Sequence, residues 1–324
     1  MKEIFLNQEK SGDKVIPLLQ ILTIFAAHLC QMRSIAYILF FLLAFPSTGY
    51  TQRKRAFLVG ISNYHTNGYR VWTNIHGAED VRMLTPILEN KGFAVDTLTN
   101  EQATFQGILS QLEQFVKATR KGDVVYLHFS CHGQPVEDGM LGDVKDEKDG
   151  WDESLVPIDA GKGYSANGYQ GEKHITDDTL NVFFSRLRKE IGPKGMLYVA
   201  MDACHAGTMS RRGVETIRGT NEGLTRKGAI YNPPKDNIKH YILPKKAEVA
   251  PILFLEACKS CERNTEIWIS GKEYGALSYN IGQALNVMPS FNKNAQEFKD
   301  SLDASTKQKG RWPRTQTLVV ESSF

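Results

Sequence analysis

The length, composition and charge of the chain limit what it can be. It has 324 residues, of which 41% are hydrophobic and 23% are charged, which is ordinary for a globular protein with a sizeable core. The net charge of +3 is weak, and no basic stripe interleaved with aromatic residues is present, so we expect no nucleic-acid partner.

The first fifty residues have the composition of a targeting segment. Their two apolar stretches, 15–27 and 35–45, are each shorter than the ~20 residues that a membrane span needs. The second follows Met32 and ends in PSTGY, which offers the small residues of a secretory cleavage site. We therefore expect residues 1–49 to be a leader that starts at Met1 or Met32, and the protein to be exported (periplasmic or secreted). The alternative is an uncleaved leader that anchors the protein in a membrane.

Residues 50–324 alternate apolar runs with amphipathic segments and are expected to form one domain. Strands are predicted at 55–62, 93–98, 123–130, 196–202, 251–258 and 315–322, and helices at 78–92, 101–122, 176–193, 274–287 and 294–305. This alternation predicts an α/β fold with a mostly parallel central sheet and helices on both faces. In the third helix, Leu180, Phe183, Leu187 and Ile191 form the predicted buried stripe.

Two long stretches carry no apolar periodicity. Residues 134–174 are polar and rich in Gly and Asp, and we predict no regular element there. Residues 210–250 are basic and rich in Gly, which predicts an exposed loop.

Two of the predicted strands end in the same way. VVYLHFSCHGQ (124–134) and YVAMDACHAGT (198–208) each finish in a Cys-His pair followed closely by Gly. Ligands of parallel sheets bind beyond the carboxyl ends of the strands. Strand alternation pairs Ser130 with His132 on one face and Asp202 with Cys204 on one face. If the two strands are neighbours, a thiol, an imidazole and a carboxylate surround one cleft.

Cysteine with histidine is a minimal nucleophilic couple, because the imidazole takes the thiol proton and the thiolate attacks an acyl carbon. The backbone N–H groups of Gly133 and Cys204 are the candidate donors to the developing oxyanion. The alternative is that Cys204 is a small buried apolar residue and His132 a hydrogen-bonded core residue. A zinc site is a weaker alternative, since the members of each adjacent Cys-His pair point to opposite faces.

HFSCHGQ and MDACHAGTMSR resemble motifs of the metacaspases and their bacterial relatives, the orthocaspases. The likeness continues in family order through RAFLVGISNY, GAEDVRML, WDESLVPID, HITDDTL, ILFLEAC and YGALSYNIGQAL, over residues 55–320. It implies a caspase-like three-layer sandwich with a large part at about 50–210, the basic loop at about 210–250 and a small part at about 251–324.

The resemblance implies a thiol protease with His132 as the general base and Cys204 as the nucleophile, and no cofactor is required for that chemistry. True caspases carry Gln two residues before the nucleophile. This chain has Asp202 there, as do metacaspases, which cleave proteins and peptides after Arg or Lys. A carboxylate at the pocket floor attracts a cation, in agreement with that preference. Family matching adds Asp80 and Ser130 to the substrate pocket.

The resemblance also implies calcium, because metacaspases commonly bind it through aspartates that match Asp152, Asp177 and Asp178. Clustered carboxylates suit this ion. The alternative is that Asp177 and Asp178 only stabilise a helix start that Thr176 caps. A further aspartate expected shortly after the nucleophile is missing, since SRRG stands there.

The chain departs from the family at Cys131, where a small residue usually precedes the histidine. We expect its side chain to face away from Cys204 and to pack in the core. A nearby second thiol would allow redox inhibition.

Family members are often cut between their two parts after a basic residue. This implies self-cleavage in the basic loop, for which Arg211, Arg212, Arg218, Arg226 and Lys227 are candidates. The alternative is a solvated loop that is never cut.

Two other functions are open: a catalytically silent interaction module of the same fold, and another cysteine acyl transferase such as a transpeptidase. We also expect an open acidic hole beside the Cys-His couple. The peptidase assignment fails if the thiol and the imidazole face opposite sides, or if a buried Arg or Lys of the chain itself fills the hole.

Overall fold

The computed structural model describes residues 52–64, 71–142, 145, 147–204, 215–233, 235 and 238–324, all within the unit Gln52–Phe324. The expected leader and the candidate cleavage sites Arg211 and Arg212 lie outside the described residues. Among the helices described, none is both long enough and apolar enough to cross a bilayer.

The centre of the molecule is a seven-stranded sheet in the order β10-β14-β11-β7-β3-β1-β2. All neighbouring pairs are parallel except β11 with β14. Its strands are β1 (Lys54–Gly60), β2 (Phe93–Thr99), β3 (Val124–Ser130), β7 (Met196–Asp202), β10 (His240–Ile242), β11 (Ile252–Glu256) and β14 (Val319–Ser322). All seven residues of β3 are buried, as its continuous apolar run predicts for a strand covered on both faces.

Five helices cover the two faces of this sheet. They are α1 (Gly77–Asn90), α2 (Phe105–Ala118), α3 (Asp177–Ile191), α4 (Ala276–Val287) and α5 (Ala295–Thr306). One buried apolar cluster joins the sheet to α2 and α3, and a second joins its other face to α1, α4 and α5. The predicted mostly parallel sheet with helices on both faces is therefore confirmed.

Helix α3 shows how the local sequence sets an element. The Thr176 side chain accepts a hydrogen bond from the Thr179 N–H at the helix start, and Gly192 ends the helix at φ 66°. The predicted stripe was wrong at one position, since Phe184 is buried and Phe183 is only partly buried. Spacings of four and three residues hold Phe184 on the sheet side together with Leu180 and Leu187.

Three small sheets lie where the sequence predicted no strands. One contains β4 (His132–Glu137), β5 (Trp151–Val156) and β6 (Ile175–Thr176), and the other two are hairpins of β8 (Glu222–Gly223) with β9 (Ala229–Ile230) and β12 (Glu266–Ile269) with β13 (Lys272–Gly275). The predicted exposed loop was also wrong in part. The buried residues of this stretch include Arg218, Thr220, Leu224, Thr225 and Tyr231.

Candidate active site

The two Cys-His motifs follow neighbouring strands, as expected. Strands β3 and β7 pair in parallel, and Ser130 lies opposite Asp202 at their carboxyl ends. His132 and Cys204 come two residues later on each chain segment, and both are 1% exposed. Cys131 belongs to the core cluster on the face of α2 and α3, where burial raises the pKa of its thiol to about 12.

The His132 imidazole is held in one orientation by its surroundings. Its ring stacks on Trp72, with 4.8 Å between the centroids, and lies 4.8 Å from the ring of Tyr64. Its Nε2 is 2.7 Å from the Thr73 carbonyl oxygen. Because a carbonyl only accepts, Nε2 must carry the hydrogen and Nδ1 is the basic atom. Among the described residues Nδ1 has no hydrogen-bond partner, and burial lowers the pKa of His132 to about 4.

The Cys204 thiol lies next to a second thiol, which is not that of Cys131. Cys204 Sγ donates to the Glu262 carbonyl oxygen at 3.1 Å, and Cys258 Sγ approaches the same oxygen at 3.8 Å. The pKa of Cys258 is raised, first by its hydrogen bond with Cys204 and then by burial. The thiol that neighbours the candidate nucleophile is therefore Cys258, two residues after the end of β11. All four described cysteines are free.

Asp80, Ser130 and Asp202, the three predicted pocket residues, surround one guanidinium. Nη1 of Arg218 is 2.6 Å from Ser130 Oγ, 2.8 Å from Asp80 Oδ2 and 3.6 Å from Asp202 Oδ1. The side chains of Arg218, Asp80 and Asp202 are all fully buried. The structure thus brings the predicted acids of α1 and β7 together, around a cation that the chain itself supplies.

A third carboxylate, Glu266 of β12, was missed by the sequence analysis. Its Oε1 is 2.9 Å from Nε and 2.7 Å from Nη2 of Arg218. Its Oε2 is 2.5 Å from Nδ1 of His76. Burial favours the neutral acid, but Arg218 and His76 outweigh it and lower the pKa of Glu266. The only signal in the sequence is a single acid at a strand start, which has no distinctive spacing.

The acids are fixed by backbone and side-chain donors. Gly275 N–H donates to Asp80 at 3.1 Å, and Ser278 donates to Asp202 Oδ2 through both its N–H (2.8 Å) and its hydroxyl (2.6 Å). Asn264 Nδ2 donates to Asp202 Oδ1 at 2.7 Å. Burial raises the pKa of Asp80 to about 7 although Arg218 opposes that shift. The pocket therefore favours a bound cation, and removal of that cation is expected to destabilise the folded protein.

The expectation of an open hole was wrong, because Arg218 fills it. Three carboxylates that are buried together need a counter-ion, and the connection after β7 provides one. A filled hole is the condition that we set against a peptidase. That condition treats every buried arginine alike, whether it belongs to the core of the fold or to a connecting segment. Arg218 belongs to the connecting segment in which self-cleavage is expected.

The three aspartates that were predicted to bind calcium do not come together as the pocket residues do. Asp152 is buried in β5, and Asp177 and Asp178 open α3, but their ligand atoms do not form a cluster within 4.8 Å. Within the described part of the chain, such a cluster of His, Cys, Asp and Glu is formed by His76, Glu266 and Glu273, and no zinc-type group of Cys and His is found.

Asp177 nevertheless has the properties of a cation ligand. It lines a cavity of about 390 Å³ together with Glu153, Glu256, Glu321 and Cys204. Its Oδ1 is buried and has no hydrogen-bond partner among the described residues. Burial, and then the charges of Glu153 and other acids, raise its pKa to about 7. An oxygen-rich set with one unsatisfied buried carboxylate atom fits a hard cation such as calcium.

Comparison with known proteins finds similarity to one family. Residues 54–211 match the metacaspase, peptidase C14 domain. Metacaspase-1 of Lodderomyces elongisporus is 26% identical over 302 residues, which are 79% of this chain and 64% of that protein. Metacaspase-1 of Candida albicans is 26% identical over 319 residues (84% and 67%), and that of Sclerotinia sclerotiorum is 30% identical over 176 residues (51% and 36%). The chain spans just under two thirds of the length of the Lodderomyces relative.

The fold is similar to a crystal structure of a protein from Geobacter sulfurreducens, with a TM-score of 0.55 and 19% sequence identity. The likeness covers 84% of this chain and 93% of that one, and it concerns the fold alone. Together with the family match, it agrees with the resemblance in the motifs. These findings support a caspase-like cysteine peptidase of the metacaspase type, with the family match itself over residues 54–211.

Proposed function

We propose that this protein is an endopeptidase that hydrolyses peptide bonds after Arg or Lys, with Cys204 as the nucleophile and His132 as the base. The observation that carries the proposal is the arginine side chain held by Asp80, Ser130 and Asp202, one residue before Gly219, which forms a backbone bridge with Cys204. A pocket that binds one guanidinium through carboxylates also favours the basic side chain of a substrate and rejects an acidic one.

The contacts of His132 support its role as proton acceptor. The hydrogen bond to Thr73 keeps the hydrogen on Nε2, so the Nδ1 lone pair is available for the thiol proton of Cys204. The lowered pKa keeps the imidazole neutral at pH 7 before substrate binds. The thiolate then attacks the scissile carbonyl, and the N–H groups of Gly133 and Cys204 are the proposed donors to the oxyanion.

Hydrolysis of fluorogenic peptides tests this function. We expect the whole chain to cleave peptides with Arg or Lys before the reporter and not the matched Asp peptide. Cys204→Ala and His132→Ala should each reduce turnover by roughly 10³-fold or more, the scale of losing a nucleophile or its base. Equal turnover by Cys204→Ala would contradict the proposal.

The two alternatives differ in their products. A silent interaction module gives no turnover of any peptide although the protein is folded. A transpeptidase gives ligated products when an amine acceptor peptide is added, which mass spectrometry detects. The peptidase predicts hydrolysed products alone.

We also propose self-cleavage in the basic loop, where Arg218, Arg226 and Lys227 are described candidates. The support is that Arg218 already occupies the acidic pocket. Intact-mass analysis of wild type and Cys204→Ala tests it, and identical masses would contradict it.

Calcium is proposed as a ligand rather than a participant in the chemistry. Asp177 and Glu153 would hold it, with Asp152 and Asp178 as the further acids that the family suggests, and the bound ion would supply charge that neutralises these carboxylates. We expect calcium to raise the melting temperature of wild type but not that of Asp177→Asn. Equal shifts in the two proteins would exclude this site.

Export is proposed on the composition of the first fifty residues. N-terminal sequencing of the protein from a cell that expresses the whole chain tests this proposal. A start near Tyr50 agrees with a cleaved leader, and an intact start in the membrane fraction agrees with an anchor.

A further inference from the structure

The thiol of Cys258 contacts that of Cys204 and takes no part in the proposed cleavage. Cys204 follows β7 and Cys258 follows β11, two strands that pair in parallel with Met201 opposite Glu256. Both sulfurs lie against the Glu262 carbonyl oxygen, at 3.1 Å and 3.8 Å, and the two thiols are hydrogen-bonded to each other. Neighbouring strands lie about 4.8 Å apart, which is within the Cα separations of about 4.4–6.8 Å that a disulfide spans. The two cysteines are therefore placed to form a disulfide.

Both thiols line a cavity that a small oxidant can enter. The cavity has a volume of about 390 Å³, and its lining includes Cys204, Cys258 and Lys259. A water molecule in the liquid takes about 30 Å³, so a small peroxide fits beside the two sulfurs. Cys261 completes a Cys-x-x-Cys pattern with Cys258, but it is only partly buried and lines a different cavity of about 260 Å³. The two thiols that share a cavity are Cys204 and Cys258.

The surroundings make Cys204 the more reactive thiol of the pair. The hydrogen bond with Cys204, then burial, then the charges of Cys204 and Glu256 raise the pKa of Cys258 above its usual value. Cys258 therefore stays a neutral thiol, while the proposed function has Cys204 give its proton to His132. A thiolate is the form of cysteine that a peroxide oxidises, and a thiol beside it condenses with the product.

We propose that a hydroperoxide oxidises Cys204 and that Cys258 then forms a reversible disulfide with it, which switches the peptidase off and protects its nucleophile. This inference rests on the proposed function, which gives Cys204 its role. While the disulfide lasts, the Cys204 sulfur cannot attack a carbonyl carbon, because only the thiolate is nucleophilic. Without Cys258, oxidation of Cys204 continues to the sulfinic acid, which thiol reductants do not reverse.

The oxidation balances with hydrogen peroxide as the oxidant. The Cys204 sulfur attacks one peroxide oxygen, the oxygen–oxygen bond breaks, and a water molecule leaves as Cys204 becomes a sulfenic acid. The Cys258 sulfur then attacks the Cys204 sulfur and forms the sulfur–sulfur bond. The sulfenic oxygen leaves with the Cys258 proton as a second water molecule. The two thiols together lose two electrons and two protons, and the peroxide takes up both.

Mass spectrometry of the oxidised whole chain tests the link. After treatment with hydrogen peroxide and alkylation of the remaining thiols, wild type should give a pair of peptides joined through Cys204 and Cys258. Turnover of the Arg peptide should fall in proportion to the linked fraction, and dithiothreitol should remove the link and restore turnover. A link between Cys258 and Cys261 in its place, or sulfinic acid on Cys204 with no link, would overturn the inference.

Two serine variants separate Cys258 from its neighbour in the sequence, each compared with the same variant before oxidation. Peroxide should stop turnover by Cys258→Ser, and dithiothreitol should not restore it, because Cys204 goes on to the sulfinic acid. Cys261→Ser is the matched control and should lose and regain turnover as wild type does. Recovery of Cys258→Ser as complete as that of wild type would overturn the inference.

The link in wild type is measured by mass, so this part of the test needs neither a folded Cys258→Ser nor peptide turnover. A Cys204–Cys258 link in a protein that has no turnover before oxidation would support the disulfide and count against the proposed function instead.

Discussion

Arg218 is the counter-ion of three buried carboxylates, so its removal is predicted to destabilise the uncut protein. The change is Arg218→Met, which keeps an apolar stem but no charge, made in Cys204→Ala so that no cleavage intervenes. Asp80, Asp202 and Glu266 then share a buried site with no guanidinium, whereas Arg218 now contacts all three within 3.6 Å.

The size of the loss follows from that geometry. Breaking a buried ion pair by removing one partner costs about 3–5 kcal/mol, because the remaining charge is left uncompensated. At an m-value of about 3 kcal/mol/M, the urea midpoint should fall by about 1–2 M. The matched control is Arg226→Met in the same background, where an exposed side chain is lost and the change should stay within about 0.5 kcal/mol.

The loss should depend on pH in a defined direction. Burial already raises the pKa of Asp80 to about 7 with Arg218 present. Without the guanidinium it rises further, and a carboxyl whose folded pKa exceeds its unfolded value binds more protons when folded. Stability of the variant is therefore regained as the pH falls. In urea unfolding, the loss of stability caused by Arg218→Met should be larger at pH 8 than at pH 5. A difference that is absent at pH 8, or that grows on acidification, would refute this reasoning.

Two further predictions concern titration. Calcium should bind more tightly at pH 8 than at pH 6, because protons compete at Asp177, whose pKa is about 7; calorimetry with equal affinity at both values would contradict this. His132 has a folded pKa of about 4, so between pH 6.5 and about 4 the unfolded chain binds a proton that the folded one does not. Through this group, the free energy of unfolding should therefore fall by up to about 1.4 kcal/mol for each pH unit of acidification. His132→Gln should make the measured dependence of the free energy of unfolding on pH shallower.

The parts of the site that follow strands were predictable from the sequence. The apolar runs of β3 and β7 are long, and both end in reactive residues, so the meeting of Ser130 with Asp202 needed only strand period and sheet topology. Asp80 came from the family resemblance, because an acid at a helix start has several ordinary explanations.

The remaining parts depend on interactions that leave no periodic signal. The Thr73 contact that orients His132 is made by a backbone carbonyl, which any residue type provides. Strand β4 contains Gly, Gln and Pro, so it has no apolar alternation, and yet it pairs with β5 over six residues. Arg218 is buried by charge and not by hydrophobicity, which is why a basic, Gly-rich segment was predicted to be exposed.

Gly275 provides a test of the pocket that removes no charge. Its N–H donates to Asp80, and a Cβ there would lie 2.1 Å from Asp202 Oδ2 and 2.5 Å from Nη1 of Arg218. Asp202 has little freedom to move, because Ser278 and Asn264 both donate to it. Because the added Cβ would overlap both groups, Gly275→Ala should displace the guanidinium of Arg218 and also disturb the Asp202 carboxylate.

We expect Gly275→Ala to reduce the internal cut and the turnover of Arg peptides by roughly 10- to 100-fold, which corresponds to overpacking by about 1–3 kcal/mol. Gly282→Ala in helix α4 is the matched control, since its Cβ would meet the ends of the side chains of Met83, Ile87 and Leu84 at 3.3, 3.4 and 3.6 Å. Wild-type rates on arginine in Gly275→Ala would mean that the cation of the substrate binds elsewhere, because no guanidinium can share that space with a methyl group.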